Sequence, residues 1–542
     1  MALRQLPLPQ TGLRVVRAYG TISQPIAHQT PATTTRGYYP SLSRTRSRSS
    51  TPDRVLLRTF ASDTPKSSSS TPGDSGPEDP KDARRKESES DSATNVASSP
   101  KEPYSQRPET SSSATSDVLD WEEEPNFDIE KFTELPYSNF GVNQHMIINT
   151  EFKEVMRQLL WRFRAPIRYA FAYGSGVFPQ SKGRTPTEAE IKAVHPKAPL
   201  AIQKAQDGSP KMIDFIFGVQ HTQHFHSLNL RQHRDHYSGL GSLGSGAVSW
   251  VQDKWGAGVY FNPYVTVDGV LIKYGVVNID TLCRDLRDWD TLYLAGRLHK
   301  PVKILRDHPQ VRLANQINLM GALRTALLLL PPTFTEKELY STIAGISYLG
   351  DPRMAFPTEN PRKVANIVNH NMLNFRRLYA PLIESLPNVE FDDPACSKDD
   401  WVYNTDSVVK LQQDMDPIKR GNMVRRLPKN FRGKLYFEYQ KKFQVPQLEF
   451  NRMMEASKDE DAGSFKRQQG GGFEQRIAQD EPEALRSAVR GVIKKTINWP
   501  STTQSIKSFF TAGISRSARY MGEKIAKYRE GRTSTSEDKK SS

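Results

Sequence analysis

A glycine, a serine and an aspartate carry the first chemical suggestion in this sequence. Residues 168–173 (RYAFAY) read as a strand rich in Tyr and Phe, and it runs directly into Gly174-Ser175-Gly176. Such a turn leaves backbone N–H groups and a hydroxyl free to meet phosphate oxygens, although a Gly at a strand end is equally a plain turn. The stretch 212–219 (MIDFIFGV) reads as a buried strand with one acid, Asp214, inside it. An ionised carboxylate in an apolar strand needs a partner, because leaving it unpaired in low dielectric is very costly. That partner is either a divalent cation held against a triphosphate, the arrangement used for nucleotidyl transfer, or an Arg or Lys in a structural ion pair.

Five of the eleven histidines (221, 224, 226, 233 and 236) fall close together, among Asn229, Arg231, Arg234 and Tyr237. Zinc there would lack cysteine ligands, and Mg²⁺ prefers oxygen. The set suits phosphate and substrate contacts through His, Arg and Asn, or else a polar surface. Lys273 lies in a predicted strand (IKYGVV), where an inward ammonium asks for a phosphate and an outward one asks for nothing.

These residues need a scaffold of mixed elements, an α+β core. A helix is expected around 151–163, before the first strand. Residues 180–210, rich in Lys, Pro, Gly and Ala, read as a surface insertion that should sit outside the cleft. Residues 258–267 and 270–277 flank Asp268-Gly269 as a β-hairpin, since Asp-Gly suits a tight turn. Helical spacing follows over 280–298, then a short strand at 301–305 and a helix over 312–330. Thr335 and Glu338 form a capping-box signature for a helix to about 347, and 364–378 is another helix. A mixed segment at 427–448 precedes a Gly-rich break at 468–472.

The chain has 542 residues, 75 Lys+Arg against 60 Asp+Glu, and only 36% hydrophobic residues. Apolar content this low predicts that part of the chain does not fold. Two cysteines, Cys283 and Cys396, exclude a disulfide framework and a Cys-rich zinc site. The longest strongly apolar run, 326–330, ends at Pro331-Pro332, far short of a membrane span, so any membrane contact is peripheral. Residues 1–60 hold nine Arg, no Lys and one acid, the composition of an organelle transit peptide. Residues 61–134 reverse the sign, with 18 acids and 8 bases among Ser, Pro and Thr, and read as a disordered acidic spacer. Folded sequence is expected from 135.

Residues 486–542 carry 13 bases and 4 acids. From Ile506, the residues Phe509, Phe510, Ile514, Ala518, Met521, Ile525 and Tyr528 recur at steps of three or four, with Lys507, Arg516, Arg519, Lys524, Lys527 and Arg529 on other faces. A basic amphipathic helix of this kind lies on an anionic bilayer or packs on its own core. Net positive charge also suits nucleic acid, but no aromatic-plus-basic RNA signature accompanies it, so neither DNA nor RNA is expected as a partner.

Seven blocks in order, 173–180 (YGSGVFPQ), 214–219 (DFIFGV), 225–229 (FHSLN), 236–238 (HYS), 256–263 (GAGVYFNP), 273–277 (KYGVV) and 294–304 (LAGRLHKPVKI), resemble the mitochondrial phosphatidate cytidylyltransferase family. The blocks ISYLGDPRM (346–354), KVANIV (363–368) and IKSFFTAGI (506–514) extend the likeness, which covers most of residues 135–530.

The resemblance implies a nucleotidyltransferase domain (135–310), a helical winged-helix-like domain (311–400), a mixed region (401–485) and a membrane-associating tail (486–542). The implied reaction joins CTP and phosphatidate into CDP-diacylglycerol with Mg²⁺, peripherally at the matrix face of the mitochondrial inner membrane, with the tail on anionic lipid. Gly174 and Ser175 would cradle the triphosphate, Asp214 would hold the metal, and Lys273 would serve catalysis. His226, Asn229, His236, Tyr237, Asn262, Arg297, Lys300 and Lys303 would contact substrate. An acid-x-acid pair usual in nucleotidyltransferases is absent, since Phe215 and Ile216 follow Asp214. Asp285, in RDLRDW, is the candidate second carboxylate. Two rivals remain: a nucleotidyltransferase acting on RNA or protein, and a non-catalytic inner-membrane scaffold for protein import.

Overall fold

The computed structural model describes residues 120–123, 125–180, 184–206, 208–354, 360, 362–397, 401–404, 409–459, 471–513, 515–519 and 521–523. The expected transit peptide and most of the acidic spacer lie outside these residues. The end of the spacer is structured, contrary to expectation: α1 (Asp120–Glu123) and a 3₁₀ turn (Phe132–Glu134) pack on the body of the protein. Trp121 meets the Phe140 ring edge-on at 4.7 Å, and Glu122 pairs with the buried Arg324 at 2.6 Å. Apolar anchors and a buried counter-charge thus order a stretch whose composition alone reads as disordered.

Next come α2 (Thr150–Trp161), capped by Asn149, and β1 (Tyr169–Tyr173). The segment 180–210 contains α3 (Glu188–Val194) and α4 (Leu200–Ala205), and leads into β2 (Ile213–Val219). Then follow α5 (Thr222–Gln232), α6 (Gly244–Lys254), β3 (Val259–Val267) and β4 (Val270–Asn278). The β3–β4 turn has Asp268 at φ 47° and Gly269 at φ 77°, the paired left-handed geometry that Asp-Gly allows. After α7 (Ile279–Asp288) and α8 (Ala295–Leu298), β5 (Lys303–Arg306) completes a sheet of order β3-β4-β2-β1-β5. β2 and β4 run parallel and the other pairs antiparallel. The helix expected over 280–298 is broken, because Trp289 (φ 57°) and Leu292 (φ 55°) are left-handed.

Strand register decides what faces what. Asp214 lies opposite Tyr173 on β1 and Lys273 on β4, while Tyr274, Phe215 and Asn262 are in register on the other face. Phe261 pairs with Gly275, where an added Cβ would come within 2.6 Å of the Phe261 ring. That glycine lets the ring lie flat across the strand beneath Lys273, whose Nζ is 4.9 Å from the ring centroid.

Beyond the sheet, α9 (Pro309–Leu329) is buried nearly all round. β6 (Thr333–Thr335) and α10 (Glu336–Ile346) follow, with the Thr335–Glu338 capping box formed. The helix expected over 364–378 is two, α11 (Lys363–Asn369) and α12 (Met372–Glu384). β7 (Val389–Phe391) and β8 (Lys410–Gln413) form a second antiparallel sheet of order β6-β8-β7, so the expected boundary at 400 runs through a sheet. Arg376 and Glu336 form a buried ion pair in this block.

The remainder is helical: α13 (Pro417–Arg425), α14 (Lys429–Lys442), α15 (Gln447–Asp459), α16 (Gly472–Ala478) and α17 (Pro482–Ala512). α17 begins far before the expected Ile506. Its inner face, from Leu485 through Val489, Ile493 and Ile497 to Gln504 and Lys507, is buried. Gln504 accepts from Ala257 N and donates to Val259 O, fixing the helix to β3. It ends at Gly513 (φ 82°), and residues 515–519 and 521–523 continue as short helical pieces. One apolar core runs from the sheet through α9 to α17, and the described residues from 120 onward form one compact unit. Among the described residues no helix is long and apolar enough to cross a membrane.

Candidate active site

A cavity of about 720 Å³ opens over the Asp214 face of the first sheet. The β1 end supplies Tyr173, Gly174 and Ser175, and β2 and β4 supply Asp214 and Lys273. Arg297 and Lys300 enter from α8 and just beyond it. The facing wall carries Ser347, Tyr348, Asp351, Arg353 and Lys363, and Arg519 and Glu523 come from the C-terminal segment.

Gly174 has φ 80°, and a Cβ there would stand 3.2 Å from Asp214 Oδ2. Only glycine combines that backbone with so close an approach to the carboxylate. Lys273 Nζ is 3.4 Å from Asp214 Oδ1, and this oxygen is buried with no hydrogen-bond partner. The partner that the buried acid requires is thus a lysine ion pair, with Oδ1 itself left without a hydrogen bond. Of the cavity's other acids, Asp351 is held by Arg353, whose Nε donates to both carboxylate oxygens at 2.9 and 3.1 Å.

The opposing charge is cationic. Arg297 stacks over the Tyr293 ring at 4.0 Å and donates to the Tyr293 carbonyl. Burial opposes its charge, but Tyr293 and Tyr173 outweigh that, and its pKa is raised. Lys300 Nζ donates to the Gly296 carbonyl and to Ser347 Oγ at 2.9 Å, and lies 5.1 Å from the Tyr348 ring centroid. Burial, then repulsion from Arg297 and Lys363, pushes its ammonium down to about 7. Arg297 and Lys300, whose hydrogen-bond partners are neutral, are suited to receive an anion.

Of the residues singled out from sequence, Gly174, Ser175, Asp214, Lys273, Arg297 and Lys300 are brought together here. Asp285 is not. Oδ1 accepts from Thr291 N and Oγ1, and Oδ2 accepts from Leu294 N and Ala295 N, all within 2.8–3.0 Å. With both oxygens saturated, Asp285 ties down the turn that presents α8 and hence Arg297, and it offers no site for a metal.

His226, Asn229, His236, Tyr237 and Asn262 also lie away from the cavity. His226 bonds the Tyr237 hydroxyl at 2.9 Å and Gln252 Oε1 at 2.8 Å. Asn229 Nδ2 donates to the hydroxyls of Tyr237 and Tyr274, and His236 Nδ1 pairs with the Tyr274 hydroxyl. These groups, with Asn262, form a buried polar network on the opposite face of the sheet from Asp214. Burial lowers the pKa of His226 to about 4, so the network is held neutral. Lys303 sits on that face too, its Nζ donating to the Met146 carbonyl.

The segment 180–210 does not stay outside the cleft: Gln180, Val194, Ser209 and the adjacent Pro210 and Lys211 line it. His195 Nδ1 accepts from Leu271 N and its Nε2 bonds the Lys211 carbonyl, stitching the insertion to β4. Arg353, Lys363 and Arg519 were missed. The first two sit in the blocks ISYLGDPRM and KVANIV, and their charges were the available signal.

A family model described as "Phosphatidate cytidylyltransferase, mitochondrial" matches residues 156–527. The chain belongs to the mitochondrial phosphatidate cytidylyltransferase family. The proteins of that name from Schizosaccharomyces pombe and Xenopus laevis are 34% and 35% identical to it, over 71% and 68% of this chain and 86% and 93% of their own lengths. The one from Saccharomyces cerevisiae is 40% identical over 47% of this chain and 62% of its own length. The span matched to the cytidylyltransferase family contains every wall of the cavity, from Tyr173 to Glu523.

Proposed function

We propose that this chain transfers the cytidylyl group of CTP to phosphatidate, giving CDP-diacylglycerol and pyrophosphate. The observation that carries the reading is a single cleft with a Gly-Ser turn, a buried Asp214 oxygen that makes no hydrogen bond and pairs with Lys273 at 3.4 Å, and facing cations from separate elements. A nucleoside triphosphate and a phosphate monoester brought together need that balance of one metal-holding acid and several cations.

The acceptor is the phosphate monoester of phosphatidate, already anionic near neutral pH, so little general-base work is required. An oxygen of this group forms a bond to the α-phosphorus of CTP, the bond from α-phosphorus to the β-phosphate oxygen breaks, and pyrophosphate leaves with the electron pair. Gly174 N–H and Ser175 hold triphosphate oxygens, and Lys273 neutralises charge beside Asp214. Arg297, Lys300 and Lys363 reach the triphosphate from the facing side of the cleft and position it for in-line attack. Asp214 and the Ser175 hydroxyl fit Mg²⁺, which commonly takes one or two carboxylates and completes its shell with water and substrate phosphates. When bound, that ion would neutralise charge developing on the phosphoryl oxygens.

We read the five-stranded sheet as a nucleotidyltransferase domain and the α9–β8 block as winged-helix-like. The same reading places the protein peripherally on the matrix side of the mitochondrial inner membrane, with the basic C-terminal segment toward anionic lipid. The purified chain, given radiolabelled CTP, Mg²⁺ and phosphatidate vesicles, is expected to move label into a lipid-soluble product. Label appearing in added RNA, or no labelled product at all, would overturn the reading.

A further inference from the structure

Cations of the cleft wall lie over aromatic faces. Arg297 stands over Tyr293 at 4.0 Å, Arg519 over Tyr264 at 4.6 Å and Lys273 over Phe261 at 4.9 Å. Lys300 and Lys363 share one ring, that of Tyr348, with their Nζ atoms 5.1 and 5.3 Å from its centroid. A carboxylate beside an ammonium cancels its charge at a distance. A ring does not: its quadrupole favours the desolvated cation and leaves the whole charge for an arriving phosphate.

Sharing a ring matters because the two ammoniums come from different elements and repel. Lys300 follows α8 and Lys363 opens α11. Burial and Arg297 weigh on the Lys300 charge first, and Lys363 adds to them. Of the other charges on the cavity wall, Asp351 pairs with Arg353, Asp214 with Lys273 and Glu523 with Arg519, while Lys211 stands just before β2. The acids of the wall thus have cations of their own, and Lys300 and Lys363 have the face of Tyr348.

The backbone sets where that ring stands. In the turn after α10, Tyr348 N donates to the Gly345 carbonyl at 2.9 Å and Asp351 N to the Tyr348 carbonyl at 3.3 Å. Gly296 lets α8 lie against this turn, since an added Cβ would run into Ser347 Cβ. Gly350 lets α17 do the same from its own side, since a Cβ there would come within 2.8 Å of Lys494 Cα. Packed from both sides, the turn presents Tyr348 at a fixed place on the cavity wall.

We propose that Tyr348 is a positioning residue for the reaction: its ring face holds the ammoniums of Lys300 and Lys363 side by side, so that both meet one anionic phosphate chain. The phosphate chain named here rests on the reading of the cleft as a CTP site. The ring acts through the two lysines, and its hydroxyl has no part in the effect.

The test compares Tyr348→Leu, which removes the ring face, with Tyr348→Phe, which removes only the hydroxyl. In the full unliganded chain, pulse labelling of amines with acetic anhydride, read by mass spectrometry at Lys300, gives the midpoint at which this ammonium loses its proton. Wild type and Tyr348→Phe should titrate at about 7, and Tyr348→Leu about 0.7 of a pH unit lower, the size of an ordinary cation–π contact. Calorimetric titration with CTP should then show Tyr348→Leu binding about fivefold more weakly at about pH 8 and less than about twofold more weakly at about pH 6, where Lys300 is largely charged with or without the ring. An unchanged labelling midpoint, or failure of Tyr348→Phe to match wild type, would overturn the proposal. So would an affinity loss of the same size at both pH values, which marks a ring packed on the nucleotide itself. A shifted midpoint in a protein whose wild type binds no CTP would keep Tyr348 as the holder of Lys300 and discard the assigned substrate.

Discussion

Lys300 should make substrate binding depend on pH in a direction opposite to that of the substrate itself. Its ammonium is pushed down to about 7 by burial and by Arg297 and Lys363, so near neutrality about half of it carries no proton. A phosphate group arriving beside it restores the ordinary preference for the charged form. Binding therefore takes up about half a proton at about pH 7 and nearly a whole one a unit higher. Affinity is level well below pH 7, falls about fivefold between about pH 7 and 8, and thereafter about tenfold per unit, or about 1.4 kcal/mol, until the bound-state value is reached. CTP loses its last phosphate proton just below this range, which on its own would strengthen binding as pH rises. Calorimetric titration with CTP in two buffers of different ionisation heat measures both affinity and proton uptake. Lys300→Met should bind more weakly, show no uptake and lose the decline above pH 7. Uptake that persists in that variant would refute the reasoning. The sign for folding follows from the same depression. In the unliganded protein, stability rises as pH climbs from about 7 toward the ordinary lysine range, because there the unfolded chain holds a proton that the folded chain lacks.

Asp214→Asn should lower turnover by about 10²–10³-fold or more with a much smaller effect on the melting temperature, since the carboxylate acts on developing charge and its Oδ1 gives up no hydrogen bond, only the 3.4 Å ion pair with Lys273. Asp285→Asn should weigh more on stability: its amide turns a donor toward backbone N–H groups, costing about 1–3 kcal/mol in a thermal melt, while turnover falls far less than in Asp214→Asn because Asp285 acts only by placing α8 and Arg297. Gly174→Ala places a Cβ 3.2 Å from Asp214 Oδ2 at φ 80°, and should cost about 1–2 kcal/mol and a larger share of activity than of stability. Arg376→Met leaves Glu336 buried without its counter-ion and should destabilise by about 3–5 kcal/mol in denaturant titration, with Arg376→Met/Glu336→Leu recovering much of that loss.

The sequence made the cleft's floor legible because local signals coincide there. A strand runs into Gly-Ser, a second strand hides one acid, and Asp-Gly closes the hairpin whose outgoing strand brings Lys273 into register with Asp214. The histidine, asparagine and tyrosine group was misassigned for a reason that strand parity could have supplied. Lys273 and Tyr274 are neighbours and must face opposite sides of the sheet, so a network built on Tyr274 cannot share the cleft with Asp214. Asp285 was illegible in a different way. A carboxylate that gathers the N–H groups of a turn looks the same in sequence as one that binds a metal, and the left-handed Trp289 and Leu292 that make the turn leave no trace in helical periodicity. For α17 the sequence pattern poses core and bilayer as alternatives for its apolar residues. The helix has an inner face on the core and an outer face that is apolar as well.

The cavity wall begins at Tyr173 and is finished by Arg519 and Glu523. Chains are made from the N-terminus and their early parts fold as they emerge. A chain stopped at Ala512 therefore has all five strands of the first sheet, the Gly-Ser turn and Asp214, and still lacks one side of the pocket. Competence to bind both substrates is thus deferred to the final stretch of synthesis. A protease clipping after Gly513 would produce a protein that looks intact by its sheet and is open where it should be closed.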